Sequence, residues 1–243
     1  MPRCRNIASN WKADPRRTAA GCSYALVVFR GSYCRELTGM VRDGYRFVLP
    51  LLVMIGLAAL FHLPILTLIL VVLAAFIVFF FRNPSRTIPG GKNLIVSPAD
   101  GKVVKIVENP DGDTEGEKTL CIFLNIFNVH VTRSPIAGAV ERFEYKRGKF
   151  KVASDEEASA VNEQNIVTFA GDEVRIVVKQ VAGLIARRVV CWKKPGDVLE
   201  RGQLFGLIRF GSRVDLIMPV KVNIRVKVGD KVRGGSSIIG DYP

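Results

Sequence analysis

A chain of 243 residues with net charge +13 and 49% apolar residues has length for one domain plus a membrane segment, or for two small domains. The basic balance excludes an acidic, solvating protein. Five cysteines, none in a C-x-x-C pair, exclude a disulfide framework and a zinc-binding knuckle, so a reducing compartment and no metal are expected.

Residues 1–39 carry seven Lys/Arg and two Asp/Glu, which is +5 of the total, together with Cys4, Cys22 and Cys34. They show neither helical nor strand period, and their one short apolar run, Ala25–Phe29, is too brief for a secretory core. Met40-Val-Arg-Asp-Gly-Tyr-Arg46 reads as a natural start in front of an anchor. Residues 1–39 are therefore expected to be a non-native or disordered extension, with Met40 the initiator.

Phe47–Phe81 is a run of thirty-five residues without formal charge, interrupted by Pro50 and by His62-Leu63-Pro64. Its halves, 47–61 and 65–81, predict helices of about 22 and 26 Å, each short of a hydrocarbon core of about 30 Å. Arg42 and Arg46 precede the run, and Arg82 and Arg86 follow it. Positive charge on both flanks predicts a membrane-anchoring hairpin over 40–86, with both ends and the body on the cytoplasmic face of the cell (inner) membrane. His62 is then a turn residue at the hairpin tip. The remaining +8 favours anionic headgroups, at about 1 kcal/mol per basic residue near the surface. Nucleic acid is not expected, because no recognition motif accompanies the charge.

From Leu94 onward the texture is short β-type runs: Val103–Val107, Leu120–Phe127, Ala139–Tyr145, Asn165–Phe169, Val174–Val181, Ala186–Trp192, Leu204–Arg209, Val214–Met218 and Lys221–Val228. Gly, Pro and Asp separate them as in an all-β barrel or sandwich. Ser154–Gln164 is a polar, helix-tolerant insert. Two internal echoes stand out. Ser97-Pro-Ala-Asp-Gly101-Lys-Val103 recurs as Ser134-Pro-Ile-Ala-Gly138-Ala-Val140, and Pro195-Gly-Asp197-Val recurs 33 residues on as Val228-Gly-Asp230-Lys-Val. Each Gly-Asp unit predicts a turn feeding a strand. The pairing suggests two pseudo-symmetric β units of the lipoyl/biotinyl-carrier kind.

Outside the apolar run the chain holds one histidine, His130, so imidazole chemistry near neutral pH has a single candidate. His130 alternates with apolar neighbours in Asn128-Val-His130-Val, as a core histidine would. Asp100, in Ser97-Pro-Ala-Asp-Gly101, reads alone as a turn aspartate. Gly211-Ser212 follows the apolar run Leu204–Phe210, and reads alone as a turn.

Taken in order, Phe81-Arg-Asn-Pro-Ser-Arg86, Ser97-Pro-Ala-Asp-Gly101, Asn128-Val-His130 and Arg209-Phe-Gly-Ser-Arg-Val-Asp215 resemble the phosphatidylserine decarboxylase family in its compact bacterial and archaeal form. The resemblance spans 40–243, with residues 87–243 as the pyruvoyl-dependent decarboxylase domain. It implies a proenzyme that cuts itself between Gly211 and Ser212. The products are a β chain ending at Gly211 and an α chain over 212–243. Ser212 is the implied nucleophile, His130 its base and Asp100 the orienting carboxylate. Ammonia is lost and Ser212 becomes a pyruvoyl group, the implied cofactor, which forms a Schiff base with the lipid amine and allows loss of CO2 to give phosphatidylethanolamine. With one imidazole available, His130 serves both maturation and turnover, or Arg133 helps by pairing with the substrate carboxylate or phosphate. Arg213, directly after the nucleophile, is the other candidate cation for the lipid. The implied partners are phosphatidylserine in an anionic membrane and the α and β chains themselves. A homo-oligomer is allowed.

Two other readings share the texture. A membrane-anchored lipoyl/biotinyl-type carrier or adaptor would display a lysine at a hairpin tip, and Met218-Pro-Val-Lys221 matches that poorly. A serine hydrolase built on Ser212, His130 and Asp100 would lack the Gly-x-Ser-x-Gly elbow.

Overall fold

The computed structural model describes residues 39–109, 116–148, 161–183, 188–209 and 212–243. Residues 1–38 of the expected extension, most of the Ser154–Gln164 insert, and Gly211 lie outside the described residues.

Two apolar helices open the described chain: α1 (Arg42–Leu60) and α2 (Pro64–Phe80). The expected break at Pro50 does not occur. Helix α1 starts five residues earlier than predicted and runs through Pro50, with Asp43 in its first turn. Its 19 residues give about 28 Å, close to a hydrocarbon thickness. Pro50 removes one backbone donor, which a long apolar helix with otherwise unbroken bonding tolerates. The chain reverses at His62, whose φ of 53° places it in the left-handed region, and Pro64 starts α2 at the one turn where a missing N–H costs nothing. The two helices pack on each other and leave Leu49, Val53, Leu57, Ile65, Leu68 and Val72 exposed. Their feet are tied together: the Val41 amide donates to Phe81 O, and β1 (Gly39–Met40) pairs with β2 (Arg82–Asn83).

The remainder is mainly β. The strands are β3 (Leu94–Val96), β4 (Gly101–Asn109), β5 (Glu117–Leu124), β6 (Val131–Arg133), β7 (Gly138–Lys146), β8 (Gln164–Ala170), β9 (Arg175–Val181), β10 (Val189–Cys191), β11 (Val198–Leu199), β12 (Leu204–Ile208), β13 (Ser212–Pro219), β14 (Asn223–Ile224), β15 (Lys231–Val232) and β16 (Ile238–Asp241). A curled antiparallel sheet of eight runs β11-β7-β8-β9-β13-β5-β4-β15, flanked by the three-stranded sheets β10-β12-β6 and β14-β16-β3. One apolar core, including Leu120, Ile122, Val178, Leu216, Phe169 and Phe205, is fully buried between them. A smaller cluster of Val41, Phe80, Phe81, Val129, Val131 and Leu207 joins the helix feet to β6 and β12.

The repeats are structural. Ser97 Oγ donates to Ala99 O and Ser134 Oγ to Ile136 O, each at 2.7 Å. Asp230 Oδ2 accepts from the Lys227 amide and Asp197 Oδ2 from the Lys194 amide, at 2.8 and 2.9 Å. Gly229 donates to Val103 O and Gly196 to Val140 O. The register matches too: Val232 faces Gly101 as Leu199 faces Gly138. Gly202 and Gly235, at φ of 79° and 78°, close the equivalent turns. The same local bonding thus builds both ends of the large sheet.

One predicted strand is shifted, starting at Glu117, and another is shorter than expected. Leu120–Phe127 stops at Leu124, because Asn125 Oδ1 accepts from the amides of Phe127 and Asn128 and so takes the backbone donors a ladder needs. Of Lys221–Val228 only Asn223–Ile224 forms a strand, at the edge of its sheet against the central strand β16.

Candidate active site

Three chain segments end or begin together at one end of the eight-stranded sheet. Strand β5 ends at Leu124, opposite Ser212, the first residue of β13. Strand β4 begins at Gly101, so close to β5 that a Cβ there would lie 2.3 Å from Phe123 O. A glycine is obligatory at that approach, and Asp100 is fixed beside it. Six residues beyond Leu124, after the Asn125–Asn128 turn, comes His130. Its carbonyl accepts from the Ile208 amide of β12 at 3.0 Å, and the chain reaches Ser212 four residues later.

Ser212 is fully buried, and its hydroxyl has no hydrogen-bond partner among the described residues. Strand alternation puts its side chain on the face of Val214 and Leu216, inside the main core. A hydroxyl left without a partner there carries a cost of about 1–3 kcal/mol.

His130 is equally buried. Its ring lies 4.2 Å from the Phe80 ring, centroid to centroid. Nδ1 is 2.9 Å from the Asn128 carbonyl, which can only accept, so Nδ1 carries the proton and Nε2 has the lone pair. Nε2 is buried and has no partner among the described residues. Burial pushes the imidazole pKa down to about 4, so the ring is neutral at pH 7. A neutral imidazole with an unengaged Nε2 is a base waiting for a proton.

Asp100 does not bond the imidazole. Its carboxylate accepts from Arg86 Nη2 at 2.6 Å and from the Gly234 amide at 2.7 Å. Its charge also acts on Arg82, and the Arg82 charge in turn acts on His130. The group orienting Nδ1 is instead the Asn128 carbonyl, which the sequence reading did not single out. Arg133 is 5% exposed and donates to Gly202 O, Asn83 Oδ1 and Pro84 O, so it ties the segment after α2 to the Gly202 turn. Arg213 and Asp215, on the opposite face of β13 from Ser212, form a buried ion pair at 2.8 Å. Asp215 stands across from Cys121, whose thiol is pushed up to about 12 by burial and by that carboxylate.

The sequence reading also passed over a buried amide network. Gln180 Nε2 donates to Thr132 Oγ1 at 2.7 Å, and Asn165 Nδ2 donates to Gln180 Oε1 at 3.0 Å. The chain bonds β6 of one sheet to β9 and β8 of another. Gly206 makes room for it, since a Cβ there would lie 2.7 Å from Gln180 Nε2 and 2.4 Å from Val190 O. Gln164 Oε1 and Asn165 Oδ1 are buried without partners among the described residues. The available signal was Gln180 itself, a neutral amide between Lys179 and Val181 on the face of β9 shared with Val178 and Ile176.

Comparison with known proteins places the chain in a family. The family model described as phosphatidylserine decarboxylase matches residues 73–240. A protein of Solibacter usitatus (strain Ellin6076) named phosphatidylserine decarboxylase proenzyme is 48% identical over 200 residues, covering 82% of this chain and 95% of its own length. Proteins of the same name are 45% identical over 209 residues in Geotalea uraniireducens (strain Rf4), and 49% over 176 residues in Citrifermentans bemidjiense. The former alignment covers 85% of this chain and 98% of the relative, the latter 71% and 80%. With most of both chains aligned and the family model matching well over half of this one, the chain belongs to the phosphatidylserine decarboxylase family.

Proposed function

We propose that this chain is a phosphatidylserine decarboxylase made as a self-cleaving precursor, converting phosphatidylserine to phosphatidylethanolamine and CO2. The observation that carries the reading is the pair of buried polar atoms, Ser212 Oγ and His130 Nε2, on segments that meet at one sheet end, each without a hydrogen-bond partner among the described residues. In the precursor the Ser212 hydroxyl attacks the Gly211 carbonyl while Nε2 takes its proton and passes it to the Ser212 nitrogen as the Gly211–Ser212 C–N bond breaks. β-Elimination of the resulting ester frees the Gly211 carboxylate, and water hydrolyses the dehydroalanine left at 212 with release of ammonia. The Asn128 carbonyl holds the tautomer that makes this transfer feasible. Asp100 favours the charged form of Arg82 and, through Arg86 and the Gly234 amide, fixes the turn beside the site.

The site fits a pyruvoyl group derived from Ser212: the residue is already buried, begins a strand, and has a side-chain oxygen without a partner among the described residues. Once formed, that group supplies an electron sink for decarboxylating an amino acid headgroup. His130, neutral at pH 7, then holds or returns a proton at the substrate carbon. The buried carbonyls of Gln164 and Asn165 are polar acceptors suited to the substrate ammonium. Arg213 and Arg133 are the cations nearest in sequence to Ser212 and His130. Each is tied into a buried network, so either would contact the lipid only by sharing its guanidinium with its present partners. Helices α1 and α2 are read as the anchor in the inner membrane, with the body cytoplasmic. The duplicated turns are read as two lipoyl/biotinyl-like units forming the scaffold.

A denaturing gel with intact mass tests the proposal. Two fragments split after residue 211 are expected, the smaller of 32 residues (212–243) and lacking a free amine. Ser212→Ala should leave one intact chain. A wild-type protein that stays whole, or a Ser212→Ala protein that still parts there, would overturn it.

A further inference from the structure

We infer that the Asn125–Asn128 turn is a second membrane contact, seating Ile126 and Phe127 at the headgroup–acyl boundary of an anionic phospholipid bilayer beside the helical hairpin. The inference rests on the decarboxylase reading for its purpose, since it sets the height of His130 above the lipid surface, but not for its geometry.

Phe127 is 64% exposed and Ile126 39% exposed, at the tip of a turn otherwise made of asparagines. The turn is rigid: Asn125 Oδ1 accepts from the Phe127 and Asn128 amides at 2.9 and 3.1 Å, and the Asn125 amide donates to Asn128 Oδ1 at 2.9 Å. It is also tied to the end of α2. Arg82 donates through Nη1 to Phe79 O at 2.6 Å and through Nη2 to Phe127 O at 2.7 Å, and its guanidinium lies 3.8 Å from the Phe79 ring centroid. Phe79 is itself 43% exposed, so the apolar surface of α2 continues onto Phe127 with one guanidinium at the junction.

A hairpin brings both of its feet to one level. The exposed Arg42 and Arg46 stand at the foot of α1, and Arg82 at the foot of α2. Exposed aromatic and aliphatic side chains ringed by arginines suit a surface that is apolar beneath and anionic above, which is a bilayer containing acidic lipid. A soluble protein partner would match the apolar tip but not its continuity with two helices whose own outward faces are apolar along their length. The consequence is mechanical. The residue ending this turn, Asn128, holds the His130 imidazole through its carbonyl. Docking the turn into the bilayer therefore fixes the base relative to a headgroup that stays anchored by its acyl chains.

The test uses the full chain in vesicles of phosphatidylcholine and phosphatidylglycerol, with Phe127→Trp compared against its parent. The difference emission should be blue-shifted, quenched by lipids brominated near the glycerol end of the acyl chains, and shielded from iodide. Emission quenched by iodide and unaffected by brominated lipid would overturn the contact. This arm needs no enzymatic activity, so it stands or falls separately from the decarboxylase reading. In a second arm, Ile126→Ser/Phe127→Ser in the processed enzyme should lower turnover of vesicle-embedded phosphatidylserine about tenfold. Turnover of a short-chain, monomerically dissolved phosphatidylserine should stay within about twofold of the parent. Equal losses on both substrates would show that the turn serves the site and not the bilayer, and would overturn the inference. A parent inactive on both substrates would sink the decarboxylase reading alone.

Discussion

The last residue of the second apolar helix, Phe80, covers the imidazole of His130 with its ring 4.2 Å away. An anchor element thus sets the dielectric around the one histidine of the body. That burial holds the imidazole at about 4, against 6.5 for an open histidine. A step that uses neutral His130 as base should keep its full rate down to about pH 5 and lose it as the pH falls through about 4. Phe80→Ala admits water and should raise that midpoint toward 6.5. Self-cleavage rates across pH 4–7, read on gels, check both statements.

The same shift makes a stability prediction. The unfolded chain takes up the His130 proton below about 6.5, the folded chain only below about 4. The contribution is therefore complete above pH 6.5 and is lost as the pH falls from there through about 4. Its size is on the order of 3 kcal/mol. Thermal unfolding at pH 7 and pH 5 should differ more for the wild type than for His130→Phe.

Gln180 bonds both Thr132 and Asn165, and Gly206 leaves the space it occupies. Gln180→Leu strands two buried polar groups and should cost about 1–3 kcal/mol. Gly206→Ala drives a methyl against Val190 O and should cost at least as much, about 1–3 kcal/mol or more. Denaturant midpoints measure both.

The Arg213–Asp215 pair is buried on both sides, with side chains 7% and 4% exposed. Asp215→Ala leaves a buried guanidinium short of its carboxylate and should cost about 3–5 kcal/mol, whereas replacing both partners by apolar residues should cost far less. A double-mutant cycle on folding stability separates the two cases. If the double variant is as unstable as Asp215→Ala, the pair is contributing through other contacts.

Asp43, the acidic residue in the first turn of α1, accepts from Trp192 Nε1 at 3.1 Å and pairs with Arg209 at 3.3 Å, across elements 149 and 166 residues apart in sequence. Asp43→Ala should cost about 1–2 kcal/mol, since both side chains of the pair are mostly shielded from water. The Trp192 emission should shift in the variant, and thermal unfolding should register the loss.

What the sequence held on its own was local. The duplicated Ser-Pro-x-x-Gly and Gly-Asp turns are set by short-range bonds that a few residues specify, so Ser97 and Ser134, or Asp197 and Asp230, were legible before any fold was known. The hairpin was legible for the same reason: thirty-five uncharged residues have few other conformations open to them. Ser212 and His130 were picked out by motif order. Their common property, a buried polar atom without a partner among the described residues, depends on which side of a strand faces the core and on what covers it. Tertiary structure decided the rest. Burial against Phe80, contributed from 50 residues away, makes His130 a neutral base. The Asn128 carbonyl selects its tautomer. Asp100 spends its carboxylate on Arg86 and Gly234, because the turn that carries it packs there and not on the imidazole. Gln180 and Asn165 meet Thr132 only because three strands from two sheets converge. Interactions across that distance leave no spacing in the chain to read, since their cause is packing and not periodicity.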